Sequence, residues 1–350
     1  MRRQTAWLLL LAFLFCGISV SFAESATYTP GMSLKETMEI VQNTHPTELD
    51  LGKVKWTPSQ LAELKSMMAD PSGLRFQAVF CKTDYTESTE EIDLNGSSVK
   101  ISQEELLALI SLLPHLKSVN VVKHRELSND IMCGIVESFP EISFTWLISL
   151  PYSHSLSSAF TAYSTMNNVG PERRMKEEKL DVFRYTPEMR ALDLGHNAIA
   201  DLHFLELMPE LRLLILADNK ITDITPIGQL KHLQYCEIFM NKITDLSAFS
   251  QCTELLDLNI VSTSITSLDG LEGCVKLERL WAPRKENLDP ESIERFVAAH
   301  PECEITFNKN DCTGKGWRKH WRYKHYISCF KTHTWIPFEE STFQNAVSSR

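Results

Sequence analysis

The chain has 350 residues, with 35 Lys and Arg against 45 Asp and Glu, 43% hydrophobic residues and 23% charged ones. That composition is too apolar for a disordered chain and too charged for a polytopic membrane protein. The formal net charge of −10 makes nucleic acid an unfavourable partner for most of the surface, because such a partner needs a basic face to displace counterions.

Residues 1–23 read as a signal peptide. Arg2 and Arg3 supply a positive start, Trp7 to Val20 an apolar core too short for a comfortable span, and Ser21, Phe22 and Ala23 a cleavage site. Cleavage is expected after Ala23, which would leave the chain secreted or associated with the cell envelope, with no transmembrane segment. Residues 24–44 form a lead-in. From Glu48, ELDLGKVKWTPSQLAELKSMMADP aligns without a gap on EIDLNGSSVKISQEELLALISLLP from Glu91, a period of 43. Each copy reads as a strand, a turn, a helix starting near Ser59 or Ser102, and a stop at Pro71 or Pro114. In the second copy Leu106, Leu109, Ile110 and Leu113 share one helical face. A further strand follows each helix, and the same helix, proline, strand rhythm returns at Glu137 and Ala298. Residues 45–187 are therefore expected to form long, irregular repeats.

From Met189 the period tightens to 22 residues through LRLLILADNKITDITPIGQLKH and its neighbours, so residues 188–305 hold regular repeats and a terminal coil. Apolar residues fall at positions 1, 4, 6, 11 and 14 of each row. The early spacing has strand period and the later spacing of three that of a helical or 3-10 turn. Asn197, Asn219 and Asn241 recur at position 9, where an amide can satisfy turn backbone, until Thr263 and Lys285 break the series. These rows resemble leucine-rich repeats, most closely the 22-residue class of internalin-like exported bacterial proteins. The expected fold is an α/β leucine-rich-repeat solenoid with a parallel concave sheet and helical or 3-10 outer segments, continuous over residues 45–305. The resemblance implies an exported protein that binds a protein or a cell-surface polymer.

No H-E-x-x-H, G-x-S-x-G, Walker A or G-x-G-x-x-G motif is present, so the reading is of a binding protein without catalytic residues or cofactor. Eight cysteines remain beyond Cys16, but Cys236 at position 4 and Cys252 and Cys274 at position 20 read as small buried residues. Cys312, His320, His325 and Cys329 include zinc-ligand types without the tight pair that would pre-form a site, so no metal is assigned. A Cys312–Cys329 disulfide and free thiols stay open.

Two surfaces are candidates. Strand alternation turns positions 3, 5 and 7 to the concave face, which gathers Leu213, Ile215, Tyr235, Glu237, Phe239, Asp257, Asn259, Arg279 and Trp281. Aromatic residues on a solvent-facing strand surface point to an interface, with Tyr235, Phe239 and Trp281 as anchors and the charged members orienting the partner; the alternative is that the tail or the irregular middle segment folds back over this face. The second surface is the tail, residues 306–350, in which Arg318, Lys319, Arg322 and Lys324 interleave with Trp317, Trp321, Tyr323 and Tyr326. It caps the last coil, holds the protein to an anionic envelope polymer, or does both with aromatics inward and Arg and Lys outward, the polymer reading making the chain an envelope-associated structural protein.

Overall fold

The structure is a computed structural model that describes residues 25–26, 28–165, 171–308, 311–314 and 316–339; the expected signal peptide lies outside this set. The chain divides into two compact units, residues 1–145 and 146–350.

The first unit opens with β1 (Ser25–Ala26) and α1 (Leu34–Thr44). Ser33 and Glu36 form a reciprocal capping box that starts α1, and His45 ends it in the left-handed region at φ 43°. After β2 (Glu48–Lys53), α2 (Pro58–Ser66) is capped by Thr57 with Pro58 in its first turn, two residues ahead of the expected Ser59 start. Then come β3 (Leu74–Phe80), β4 (Thr83–Thr86) and β5 (Glu91–Asp93). Ser102 caps α3 (Gln103–Leu112) as its sequence suggests, and Leu106, Leu109, Ile110 and Leu113 are all buried. Each such side chain contributes about 1.5–3 kcal/mol by leaving water. The unit ends with β6 (Ser118–Asn120), α4 (Asn129–Ser138) and β7 (Ser143–Thr145). Its strands make two sheets, β1-β2-β3-β4 with an antiparallel β3–β4 pair, and an all-parallel β5-β6-β7.

The second unit starts with an antiparallel ribbon, β8 (Leu147–Ser149) and β9 (Ser155–Ser157). A parallel sheet of seven strands follows: β10 (Ala162–Ser164), β11 (Ala191–Asp193), β12 (Leu213–Ile215), β13 (Tyr235–Glu237), β14 (Asp257–Asn259), β15 (Arg279–Ala282) and β16 (Glu304–Phe307). Because β10 pairs with β11, residues 146–187 fold with the regular coils, so the unit boundary precedes the change of repeat length at 188. Ala191, Leu213, Tyr235, Asp257 and Arg279 stand side by side, a register step of 22 residues each time. Leu192, Leu214, Cys236, Leu258 and Leu280 fill the interior with no exposure. The return segments His203–Leu207, Thr225–Gln229 and Ser247–Gln251 are 3-10 turns, and α5 (Pro290–Ala299), capped by Asp289, backs the last coil.

The asparagines stitch coils together, reaching the preceding coil. Asn219 accepts from the Ile199 N–H at 3.0 Å and donates to the Leu194 and Leu216 carbonyls, and Asn241 repeats this with Ile221, Leu216 and Ile238. At the break, the Thr263 hydroxyl donates only to Ile260 in its own coil. One residue earlier, His196, Asp218, Met240 and Ser262 all take positive φ between 52° and 58°, the tight turn that ends each strand. Cys252 and Cys274 donate to the carbonyls of Ile227 and Phe249 one coil back, and all eight described cysteines are free thiols.

Candidate functional site: a strapped concave face

After β16 the chain turns back. A 3-10 turn, Trp317–Lys319, and α6 (Trp321–Thr332) cross the concave face of the seven-stranded sheet as a strap. On α6, Arg322, His325, Tyr326, Cys329 and Phe330 fall at a helical spacing of three and four, and all five are buried. His320 caps the helix, accepting from the Arg322 N–H, and His333 closes it at φ 55°.

Trp317 anchors one end of the strap. It is fully buried, its ring centroid lies 5.6 Å from that of Tyr235 and 5.7 Å from that of Trp281, and the Arg279 guanidinium lies 4.5 Å from its face. Its Nε1 donates to Glu237 Oε1 at 2.7 Å, and the Tyr235 hydroxyl donates to the same oxygen. At the far end the His333 carbonyl accepts from the Thr161 and Ala162 N–H groups, the Trp335 N–H donates to Thr161 Oγ1 at 2.7 Å, and the His333 ring stacks on Phe160. Between them Tyr326, Cys329 and Phe330 pack with Leu213, Ile215, Tyr235, Phe239 and Trp281 in one cluster.

The concave face is consequently a second core. The nine concave residues do share one face in the expected register, but the expectation that they meet solvent is corrected: Leu213, Ile215, Tyr235, Glu237, Phe239, Asp257, Asn259, Arg279 and Trp281 are all buried. The physical reason is the strap, which removes from water the apolar and aromatic surface that seven parallel strands would otherwise present. The expected cap therefore covers the sheet face, with Trp317 over β13 and β15, and is not confined to the last coil.

Charges inside the interface are mostly paired. Asp257, with no exposure, receives Arg279 Nη1 on one oxygen at 3.1 Å and Arg322 Nη1 on the other at 2.9 Å. Arg322 also reaches Glu278, and Arg279 Nη2 donates to the Trp317 carbonyl at 3.3 Å. Asn259 Nδ2 donates to the Cys312 carbonyl at 2.6 Å. Arg322 is thus an inward residue of the strap, which corrects its place in the outward basic group. Arg318, Lys319 and Lys324 do face solvent, joined by Lys331, and none of the four forms an ion pair among the described residues. Lys309 and Lys315 lie outside the described residues.

Burial dominates the titration of this site. It pushes Glu237 up to about 7 against the hydrogen bonds from Tyr235 and Trp317, and raises Asp193, which accepts from Ser164 and Gly195. It lowers His325, and it pushes His320 down to about 4 with help from Arg279 and Arg322. The four candidate zinc-ligand types have separate tasks: Cys312 neighbours Ser262, His320 caps α6, and His325 and Cys329 both contact the Ile336 carbonyl. Among the described residues no three His, Cys, Asp or Glu side chains gather as a metal site.

Glu278, which Arg322 reaches, and His333 also belong to the strap contacts although nothing in the sequence singled them out. In the first unit, Lys65, Arg75, Phe76, Glu87, Leu112 and His115 help line a cleft of about 520 Å³. Its charged groups are already engaged, Arg75 with Ser72, Leu74 and Glu87, and Lys65 with the Ser111 carbonyl.

No protein-family model and no curated protein matches the chain. Among solved structures it is similar to an internalin, InlF, of Listeria monocytogenes str. 4b F2365, at 17% identity and a TM-score of 0.36 over 78% of this chain and 76% of that one. An internalin C2 of the same strain is similar at 17% identity and a TM-score of 0.36, over 59% of this chain and 84% of that one. A leucine-rich-repeat protein of Leptospira interrogans gives 17% identity and a TM-score of 0.35 over 77% and 74%. The chain's own register, 22 residues from strand to strand with Asn219 and Asn241 each tying their coil to the one before, is that of a parallel repeat solenoid.

Proposed function

We propose that the chain is an exported, non-catalytic binding protein that docks on an anionic cell-surface polymer through the outer face of its strap. The observation that supports this most directly is the sorting of the strap's side chains. Trp317, Arg322, Tyr326 and Phe330 turn inward, while Arg318, Lys319, Lys324 and Lys331 turn outward without ion-pair partners among the described residues. In a chain of net charge −10, four exposed cations on the strap without ion-pair partners favour a polyanion locally. No helix among the described residues is long and apolar enough to cross a membrane.

Binding of the purified chain to cell envelopes rich in anionic wall polymer tests the reading. Retention should fall steeply with added salt. Replacing Arg318, Lys319, Lys324 and Lys331 by Gln should abolish it with the melting midpoint unchanged; retention equal to the parent would overturn the proposal. Arg322 is left in place because it faces inward and its removal would take one of the two arginines from buried Asp257. Export is tested separately by sequencing the N-terminus of the extracellular protein, expected at Glu24.

A second reading keeps the concave face as the recognition surface for a protein partner. It is favoured by the way Asp257 and Glu237 receive Arg322 and Trp317, as a receptor groove would receive a cationic, aromatic ligand. Tyr235, Phe239 and Trp281, with Glu237, Asp257 and Arg279, become reachable only when the strap lifts.

A further inference from the structure

Glu237 lies on β13 beneath the strap, 3% exposed, and its hydrogen-bonded oxygen is held from both sides. One donor, the Tyr235 hydroxyl, belongs to the sheet; the other, Trp317 Nε1, belongs to the strap. Both donors are neutral. Among the described residues Glu237 forms no ion pair, in contrast to Asp257 on the neighbouring strand β14, which two arginines share. The other groups facing it do little to offset burial. Asp193 of β11 repels its charge, Arg318 on the strap attracts it weakly, and the hydroxyl of Tyr326 on α6 would itself be opposed by a charged Glu237. A carboxyl so placed is comfortable under the strap when neutral and costly when ionised.

The geometry points to Glu237 as a proton-operated latch: protonated, it holds the strap on the concave face, and ionised, it loosens the strap and opens the groove. Lifting Trp317 returns Glu237 to water, where it releases its proton to solvent, so opening expels one proton. Burial raises Glu237 from 4.5 to about 7 in the docked state, and opening therefore grows more favourable as pH rises between those values and levels off above them. The span corresponds to a change in the opening equilibrium of up to about 300-fold. His320 and His325 on the strap act in the opposite sense, since burial keeps both neutral and acid would pull them into water. Removing the ability of Glu237 alone to ionise separates the two effects.

The experiment compares amide exchange of α6 in the full chain and in a Glu237→Gln chain, at pH 5 and pH 8. Gln reproduces the size and neutrality of the protonated carboxyl. At pH 5 the two chains should exchange within severalfold of each other. At pH 8 the parent should exchange far faster in α6, by up to the same ~300-fold, with amides of β12 unaffected. A parent-to-variant ratio that is the same at both pH values would overturn the latch. Carboxyl-carbon NMR of the unmutated chain provides a second readout that does not depend on the variant folding. One glutamate should titrate near neutrality, and ordinary titration of every glutamate would equally overturn it. Neither outcome bears on the outward cations, so the polymer-docking proposal stands or falls on its own test.

Discussion

Arg322 on the strap and Asp257 on β14 form an ion pair at 2.9 Å with both side chains almost wholly removed from water. Charges so placed stabilise little as a pair, yet each becomes costly when the other is taken away. Because Arg279 still holds Asp257, Arg322→Ala should destabilise the protein by less than the about 3–5 kcal/mol of a fully unpaired buried charge, and Arg322→Lys should recover only part, since an ammonium cannot span Asp257 and Glu278 as a planar fork does. Denaturant titration measures this. A loss under about 1 kcal/mol would mean the strap is not docked in solution.

Truncation on the concave face should behave as core truncation. Phe239→Ala is expected to lower stability by about 3–5 kcal/mol, comparable with Leu214→Ala in the interior at about 2–5 kcal/mol. An unchanged melting midpoint for Phe239→Ala, the result for a solvent-facing anchor, would contradict the strapped arrangement.

Asn241→Ala strips the Ile221 N–H of its acceptor and the Leu216 and Ile238 carbonyls of a donor. Orphaned buried backbone groups cost about 1–3 kcal/mol each, so this single change should rival a core truncation in a melting experiment. Asn241→Asp should not rescue it, because a carboxylate can accept from Ile221 but cannot donate to the two carbonyls.

His320 predicts acid sensitivity of the strap. Its folded value, about 4, is below the ordinary 6.5, so the unfolded chain binds the proton first. Stability contributed by the neutral imidazole is complete above pH 6.5 and is lost as pH falls toward 4. His320→Asn, which can keep the helix cap, should flatten the fall in melting midpoint over that range. An identical pH profile for parent and variant would exclude His320 as the source.

The repeat register was legible because it is a local property. Strand period at positions 4 and 6, the turn asparagine and the spacing of three each involve neighbours within one row, and Leu214, Asn219 and Ile221 occupy the places that spacing assigns them. Ser102 announced α3 for the same reason. The strap was half legible. Arg322, His325, Tyr326, Cys329 and Phe330 have the spacing of an amphipathic helix, a signal obscured by the basic residues between them. The sequence offered the concave face as one place the tail could cover, but not the contacts that would dock it there. Arg322 meets Asp257 across 65 positions and Trp335 meets Thr161 across 174, distances at which spacing carries no information. An apolar strand face also looks the same in sequence whether a partner or the chain's own tail covers it.

The link between Thr161 and the segment at His333 to Trp335 has a consequence for biosynthesis. The first strand of the seven-stranded sheet receives its final contacts from nearly the last residues described, so the coils emerge from the ribosome in order but cannot seal in order. Until α6 is synthesised, Leu213, Tyr235, Phe239 and Trp281 form an uncovered apolar strip on a growing chain, the kind of surface that aggregates or recruits chaperones. A nonsense mutation shortly before Trp317 would leave every repeat intact and still produce a chain unable to bury that strip.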